Sequence, residues 1–144
     1  MPSQIVSLSK IPTFGQFLAK TFFHEGWIGA FEGSLGSGKT TLIRAALTAC
    51  DYPSHLITSP TFSYMHRYEA PNPSMFPVYH FDLYRLNPKD PSAFVQLGFL
   101  DHLEEKAVCL IEWPDRIQSL LPKKTTFFQL SVLSNDTREI SWTE

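Results

Sequence analysis

The chain has 144 residues, of which 43% are hydrophobic and 18% are charged, with 14 acidic side chains against 12 Lys and Arg. That length suits one domain, residues 1–144, and leaves little room for a second substrate domain. The formal net charge of −2 argues against a stand-alone RNA or DNA binder, which needs a basic face, and no apolar run approaches the ~20 residues of a membrane span.

Helices and short strands alternate along the N-terminal half of the sequence. Thr13-x-x-Gln16 has the form of a capping box, and apolar residues follow it at helical spacing. A Pro-rich stretch over 59–77 resists regular structure. The elements predicted here are, in order, a helix over 13–24, a strand over 27–31, a helix over 40–50, and strands over 55–58 and 64–68.

The second half continues with buried strands and ends in a hairpin. Its predicted elements are a strand over 78–83, a helix over 91–105, a strand over 107–111, helical turns over 115–121, and hairpin strands over 125–133 and 137–142. Because strands and helices alternate through the first two-thirds of the chain, the predicted fold class is α/β.

The two cysteines, Cys50 and Cys109, are far apart in the sequence and lie in apolar surroundings. They are interpreted as reduced, mostly buried thiols. The N-terminus lacks the basic region and apolar run of a signal peptide. Together these features favour a cytoplasmic protein.

A phosphate-binding sequence separates the strand at 27–31 from the helix at 40–50. Residues 33–40, GSLGSGKT, fit G-x-x-x-x-G-K-[ST] without a mismatch. Glycines let backbone N–H groups surround phosphate oxygens, and the helix that follows adds its positive end. Lys39 suits the β- and γ-phosphates, and the Thr40 hydroxyl suits Mg²⁺. The predicted nucleotide-binding residues of this loop are Gly33, Leu35, Gly36, Ser37, Gly38, Lys39, Thr40 and Thr41.

Two carboxylates are candidates to assist at this site. Glu112 follows the apolar run at 108–111, where a carboxylate can hold Mg²⁺ directly or through water, or polarise the attacking water. The alternative is an exposed Glu after a strand. Asp82 shares one strand face with His80 and Tyr84; it either reaches the same magnesium or pairs with Arg85 or a hairpin partner.

Two further side chains invite a functional interpretation. His80 has no Ser or Cys nucleophile motif beside it, so a hydrogen-bonded strand histidine is favoured over a catalytic base. Trp113 precedes Pro114, which predicts an extended backbone. Three interpretations of its ring stay open: it lies over the γ-phosphate, it contacts a partner protein, or it packs against neighbouring side chains.

Four sequence blocks occur in a fixed order: GSLGSGKTT at 33–41, SPTF at 59–62, HFDLYR at 80–85 and EWPDR at 112–116. Together they resemble the TsaE (YjeE) family, the small P-loop ATPases of bacterial tRNA threonylcarbamoyladenosine (t6A) synthesis. The first block is shared by many families, whereas the other three at this spacing are much more specific. The resemblance covers most of the chain, over residues 13–140.

The resemblance implies a single-domain P-loop NTPase fold, with a mixed sheet flanked by helices and a C-terminal β-hairpin. It also implies binding of ATP and Mg²⁺ with weak hydrolysis by the isolated protein. The implied partner is the TsaB–TsaD complex, in which TsaD transfers the threonylcarbamoyl group to adenosine 37 of tRNA. The chain would then meet tRNA only indirectly, and ATP hydrolysis would support turnover or resetting of that complex.

The resemblance also assigns roles to single residues. It implies that Lys39 contacts phosphates, that Thr40 and Glu112 hold magnesium, and that Asp82 lies near nucleotide and metal. The implied catalytic residues are Lys39, Asp82 and Glu112. Further nucleotide-site candidates are Trp113 beside the glutamate, Thr61 in a segment like a switch-I loop that senses the γ-phosphate, and Thr13 and Arg138 near the adenine or phosphates. Thr13 is equally explained as a helix cap.

Two other functions use the same phosphate loop. A small-molecule or nucleoside kinase would need extra cationic residues over the transferred phosphoryl group and an acceptor pocket. The chain has only five arginines and no Arg-rich lid, which argues against a kinase. The second alternative is a nucleotide-dependent binding module whose hydrolysis is incidental.

Overall fold

A mixed sheet of seven strands runs through the computed structural model, which describes residues 1–53, 57–58, 60 and 62–143. The elements in chain order are β1 (Ser3–Ser7), α1 (Ile11–Phe22), β2 (Ile28–Glu32), α2 (Lys39–Ala49), β3 (Met65–Tyr68), β4 (Val78–Asp82), α3 (Ser92–Gln96), β5 (Val108–Glu112), β6 (Thr126–Val132) and β7 (Thr137–Trp142). Short 3-10 segments span Leu8–Lys10, Leu100–Glu104 and Pro114–Leu120.

The strand order across the sheet is β1-β7-β6-β2-β5-β4-β3. The central pairs β6–β2, β2–β5 and β5–β4 are parallel, whereas β1–β7, β7–β6 and β4–β3 are antiparallel. All five residues of β4 and all five of β5 are buried, as expected for central strands covered on both faces. The predicted α/β class, with a mixed sheet and a C-terminal hairpin, is confirmed.

Helices cover both faces of this sheet. On one face α1 and α2 pack over the sheet through Phe14, Leu18, Leu42 and Leu47. On the other, α3 and the 3-10 segments pack through Phe94, Leu103 and Ile117. The two helices of the first face lie very close, because a Cβ at Gly15 would stand 2.6 Å from the Cβ of Ala45. The ends of β4 and β5 and the start of α2 lie together, because residues of all three line one cavity.

The start of α1 differs from its prediction. The helix begins at Ile11, its N-cap is Lys10 with no side-chain cap bond, and a proline lies in its first turn. A capping box at Thr13 is therefore wrong, because Pro12 sets the helix start: it has no N–H to satisfy and its φ is already helical.

Three other elements depart from the sequence prediction. The helix predicted over 91–105 is divided into α3 and a 3-10 segment, because Gly98 adopts a φ of +81°. Strand β1 was not predicted; it pairs with β7 at the sheet edge. Of the strand predicted over 55–58, residues 55 and 56 lie outside the described residues, and residues 57 and 58 are in no strand.

Neither cysteine is in a disulfide: Cys50 is half-buried and Cys109 is buried. Within the described part of the chain, no helix has both the length and the apolar character needed to cross a membrane.

Candidate nucleotide-binding site

The loop from β2 to α2 depends on its glycines. A Cβ at Gly33 would stand 2.5 Å from the Ser37 Oγ and 2.8 Å from the Leu130 carbonyl oxygen, so no larger residue fits there. Gly36 and Gly38 have φ values of +81° and +102°, in the region that other residues avoid. Gly38 is also the N-cap of α2. The loop therefore leads directly into a helix N-terminus, where unpaired N–H groups attract anions.

A cavity of about 400 Å³ opens over this loop. Three segments line it: the loop with the first turn of α2, the end of β4 and the end of β5. The lining residues are Leu35, Gly36, Ser37, Gly38, Lys39, Thr40, Thr41, Asp82, Tyr84, Glu112 and Trp113. Most of the predicted nucleotide-site residues are thus brought together around one space, with Gly33 at the base of the loop.

The Lys39 ammonium lies inside the loop. Its Nζ donates to the Gly33 carbonyl at 2.6 Å and to the Ser34 carbonyl at 3.2 Å. The same atom lies 4.0 Å from the centre of the Trp113 ring, within the range of a cation–π contact. The ammonium is therefore held in the loop by contacts with two carbonyls and a ring, none of which carries a formal charge.

Burial lowers the pKa of Lys39 below its ordinary value, and nearby carboxylates partly oppose that change. In decreasing order of effect, those carboxylates are Glu112, Asp82 and Asp115. A polyanion in the cavity would favour the charged ammonium in the same way.

The carboxylate of Glu112 contacts two side chains from other elements. The Thr40 hydroxyl donates to its Oε1 at 2.8 Å and lies 2.9 Å from its Oε2. His80 Nε2 lies 2.7 Å from Oε2, and the side chains of His80 and Glu112 are 0% and 4% exposed. The favoured interpretation of His80 as a hydrogen-bonded strand residue is confirmed, but its partner is the candidate metal-ligating carboxylate, which the sequence did not indicate.

Asp82 lies beside Glu112 because the two residues are directly opposite in the parallel pairing of β4 with β5. Asp82 is buried, and its Oδ1 accepts a hydrogen bond from the Tyr84 backbone N–H at 3.1 Å. Arg85, one of the alternative partners considered for Asp82, lies over the Phe62 ring at 4.8 Å.

Trp113 has a left-handed backbone, with φ +59° and ψ +54°, so the predicted extended conformation is wrong. This region is unfavourable for a bulky residue, and more so before a proline. The ring is half-buried between neighbours: the Tyr84 ring centre lies 4.9 Å away and the Arg116 guanidinium 5.3 Å away. Backbone strain of this kind is concentrated at functional sites.

Two of the predicted residues, Arg138 and Thr13, do not line this cavity. Arg138 is buried beneath the loop, where its Nε donates to the Ser37 carbonyl at 3.0 Å. Thr13 is exposed on α1 and lines a separate hollow with Gln4 and Ile5. Thr61 lies outside the described residues. Their contacts with nucleotide stay predictions.

A second cavity, of about 490 Å³, adjoins the first through Thr41, which lines both. It lies between the start of α1 and one face of α2, and its walls are mostly apolar. They are formed by Leu8, Ile11, Pro12, Gln16, Thr41, Arg44, Ala45, Thr48 and Ala49. The sequence did not indicate this space, because it depends on how the two helices pack.

The residues at the cavity edge have the chemistry that Mg²⁺ requires. The Thr40 hydroxyl and the carboxylates of Asp82 and Glu112 are hard oxygen donors. Among the described residues there is no group of three or more His, Cys, Asp and Glu side chains arranged to hold a metal. Mg²⁺ in nucleotide sites is generally bound by one or two protein oxygens, water and phosphate.

Comparison with known proteins gives a consistent result. The family model described as threonylcarbamoyl adenosine biosynthesis protein TsaE matches residues 5–140. The tRNA threonylcarbamoyladenosine biosynthesis protein TsaE of Haemophilus influenzae is 32% identical over 123 residues, 85% of this chain and 74% of that protein. The protein of the same name from Bacillus subtilis is 30% identical over 126 residues, 88% and 75% of the two chains.

A solved structure agrees with these sequence relatives. The crystal structure of YdiB from Bacillus subtilis superimposes with a TM-score of 0.74 at 25% identity, and the match covers 98% of this chain and 83% of that one. The resemblance found in the four sequence blocks is therefore confirmed. The chain belongs to the TsaE family of threonylcarbamoyl adenosine biosynthesis proteins.

Proposed function

We propose that this protein binds ATP with Mg²⁺ and hydrolyses it as a subunit of the machinery that forms tRNA threonylcarbamoyladenosine. The observation that carries the proposal is the contact between the Thr40 hydroxyl and the Glu112 carboxylate, 2.8 Å apart at the edge of the phosphate loop. It supports the proposal because both side chains carry oxygen donors that suit Mg²⁺, and both line the same cavity as Lys39.

In this proposal the loop and Lys39 bind the triphosphate. Successive N–H groups at the start of α2 surround the phosphate oxygens, and the helix dipole favours their negative charge. Lys39 uses two of its three N–H donors on loop carbonyls, which aim the ammonium at the phosphates. Its positive charge then compensates the β- and γ-phosphates.

Thr40 and Glu112 would hold the magnesium ion, with Asp82 next to Glu112 across the strand pair. When bound, the ion neutralises charge on the β- and γ-phosphates and orients them for in-line attack. Glu112 is also close enough to the phosphate loop to orient a water. Its burial, together with that of Asp82, keeps both carboxylates in a fixed geometry.

The cavity beside Thr41 suits the base and ribose of the nucleotide. It adjoins the phosphate cavity, and its walls are mostly apolar, as in sites that take a flat heteroaromatic ring. Arg44 and Gln16 supply polar groups at its edge.

We propose the TsaB–TsaD complex as the partner and tRNA as an indirect one. The chain has a net charge of −2, too little positive charge for direct tRNA binding. Leu35, which lines the phosphate cavity, is 73% exposed, and an exposed apolar side chain beside the nucleotide site suits contact with a protein. A cytoplasmic location belongs to the same proposal, because the tRNA substrate is there.

The proposal is tested by measuring ATP turnover with and without the TsaB–TsaD complex, for the unaltered protein and for Glu112→Ala. We expect Mg²⁺-dependent release of phosphate that rises with the complex and falls much more in Glu112→Ala than ATP binding does. A parallel screen of kinase acceptors should show no transfer. Unchanged turnover on adding the complex, together with phosphoryl transfer to an acceptor, would favour a kinase instead.

A further inference from the structure

His80 lies behind Glu112, on the side away from the phosphate cavity. It occupies the middle of β4, with its Cα opposite Leu110 in β5, and its side chain is fully buried. It does not line the cavity, whereas Glu112 does. His80 therefore reaches the cavity through its hydrogen bond to Glu112 rather than by lining it.

Among the described residues, one ring nitrogen of His80 has a hydrogen-bond partner and the other has none. Nε2 lies 2.7 Å from the Glu112 Oε2, and an ionised carboxylate can only accept, so Nε2 carries the proton. Nδ1 is buried without a hydrogen-bond partner among the described residues. An unprotonated nitrogen without a partner is tolerated better than a buried N–H donor without one. Both observations indicate the tautomer with its proton on Nε2.

His80 also distinguishes the two oxygens of Glu112. The Thr40 hydroxyl lies at nearly equal distances from both, 2.8 Å and 2.9 Å, so Thr40 alone does not fix the orientation of the carboxylate. His80 contacts only Oε2. Within the described part of the chain, Oε1 therefore has a hydrogen bond from Thr40 and none from His80. Thr40 is the other candidate magnesium ligand.

We propose that His80 is a positioning residue for Glu112. Its Nε2–H fixes the carboxylate through Oε2, keeps Oε1 on the Thr40 side, and so determines how strongly the site holds the Mg²⁺ that accompanies a nucleotide. This inference rests on the proposed function and adds to it a residue outside the cavity. Partners of this kind, which orient a metal-ligating group, typically change metal affinity or activity 10- to 100-fold when removed.

A matched pair of variants separates the hydrogen bond from the space that the ring fills. Gln and Met are unbranched and similar in length, but only Gln retains an N–H donor at the end of its side chain. His80→Met should therefore lose the contact with Glu112, and His80→Gln should retain much of it. Thermal unfolding of both variants shows whether they are folded.

The test measures binding of the non-hydrolysable ATP analogue adenylyl imidodiphosphate, by calorimetry, in EDTA and across a Mg²⁺ titration. We expect His80→Met to raise the Mg²⁺ concentration for half-maximal effect about 10- to 100-fold, with His80→Gln close to the unaltered protein and binding in EDTA the same in all three. An unchanged Mg²⁺ requirement in His80→Met would overturn the proposal, as would an equal rise in both variants.

A second measurement needs no variant and no nucleotide. Nitrogen-15 spectra of the histidine rings distinguish a protonated from an unprotonated ring nitrogen. We expect the proton of His80 on Nε2, and a proton on Nδ1 alone would overturn the proposal even if His80→Met failed to fold. If the unaltered protein bound the analogue with no Mg²⁺ dependence, the proposed function would fail as well, whereas an unchanged His80→Met variant contradicts the role of His80 alone.

Discussion

Asp82 and Glu112 stand directly opposite each other at the carboxyl ends of two parallel strands. Asp82 ends β4 and Glu112 ends β5, and both side chains are buried. The sequence presented them as two separate candidates, 30 positions apart. The strand register brings both carboxylates to the edge of the sheet that faces the phosphate loop, where nucleotides bind in open α/β sheets.

Replacement of Lys39 should weaken triphosphate binding. In Lys39→Ala the loop loses a charged donor that contacts two of its carbonyls. Interactions with a charged group contribute about 1.5–3 kcal/mol, so we expect ATP affinity to fall about 10- to 100-fold. Calorimetric titration with ATP measures this, and Lys20→Ala, an exposed lysine on α1, is the matched control. Equal affinities in the two variants would mean that Lys39 does not contact the nucleotide.

The left-handed backbone of Trp113 makes a prediction that concerns stability alone. At ordinary positions Gly is less stable than Ala, but at a φ of +59° Ala is strained and Gly is not. Trp113→Gly should therefore be more stable than Trp113→Ala, by about 1 kcal/mol. Urea unfolding of the two variants provides the comparison. Greater stability of the Ala variant would contradict this backbone geometry.

Arg138 should stabilise the phosphate loop from below. Its guanidinium donates to the carbonyls of Ser37 in the loop and of Ser134 and Thr137 in the hairpin. Arg138→Met keeps much of the apolar stem but removes three hydrogen bonds donated by a charged group, so we expect a loss of about 1–3 kcal/mol in unfolding free energy.

The same Arg138→Met variant should bind ATP more weakly, because the loop is no longer tied to the hairpin. Arg85→Met, at an exposed position, is the control. The unfolding free energies of the two variants are compared by chemical unfolding. An Arg138→Met protein as stable as that control would show that the three hydrogen bonds do not support the loop.

Stability should decrease with pH through the titration of Glu32. Burial, with a smaller effect from the Asp115 carboxylate, raises the pKa of Glu32 above its ordinary value. Between the ordinary and the raised pKa the folded state binds more protons than the unfolded state, so the unfolding free energy falls as pH rises through that window. Above that window the unfolding free energy stays lower than it would be if the pKa of Glu32 were not raised.

Glu32→Gln removes this loss of unfolding free energy, because a glutamine side chain does not ionise. The variant should therefore have a higher melting temperature than the unaltered protein at neutral pH, and the advantage should shrink as the pH falls through the raised pKa of Glu32 and vanish below the ordinary pKa of a glutamate. Glu25→Gln, at an exposed position, is the matched control. An advantage of Glu32→Gln that grew toward acid pH would reverse the sign expected here.

Features determined by short stretches of sequence could be predicted, and those that depend on distant pairing could not. The phosphate loop was predictable because its glycine spacing, its lysine and its threonine are all contained in residues 33–40. Glu112 was predictable as a candidate because it directly follows the apolar run at 108–111. The contact of His80 with Glu112 joins residues 32 positions apart, and that of Arg138 with Ser37 joins residues 101 apart, so neither has a local signal.

Local signals also competed with one another. The pattern Thr13-x-x-Gln16 favoured a capping box, but Pro12 in the first turn placed the helix start earlier. Pro114 favoured an extended Trp113, yet the turn from β5 into the 3-10 segment imposes a left-handed backbone. At α1 one local preference therefore outweighed another, and at Trp113 the turn outweighed a backbone preference of about 1–2 kcal/mol.

A crystal structure with Mg²⁺ and adenylyl imidodiphosphate tests most directly whether this is a magnesium-dependent ATPase site. We expect the Lys39 Nζ at the β- and γ-phosphates, the Mg²⁺ held by the Thr40 hydroxyl and by Glu112 directly or through water, and the base beside Thr41 and Arg44. A nucleotide bound away from residues 33–41, or a cation held without Thr40 and Glu112, would contradict it.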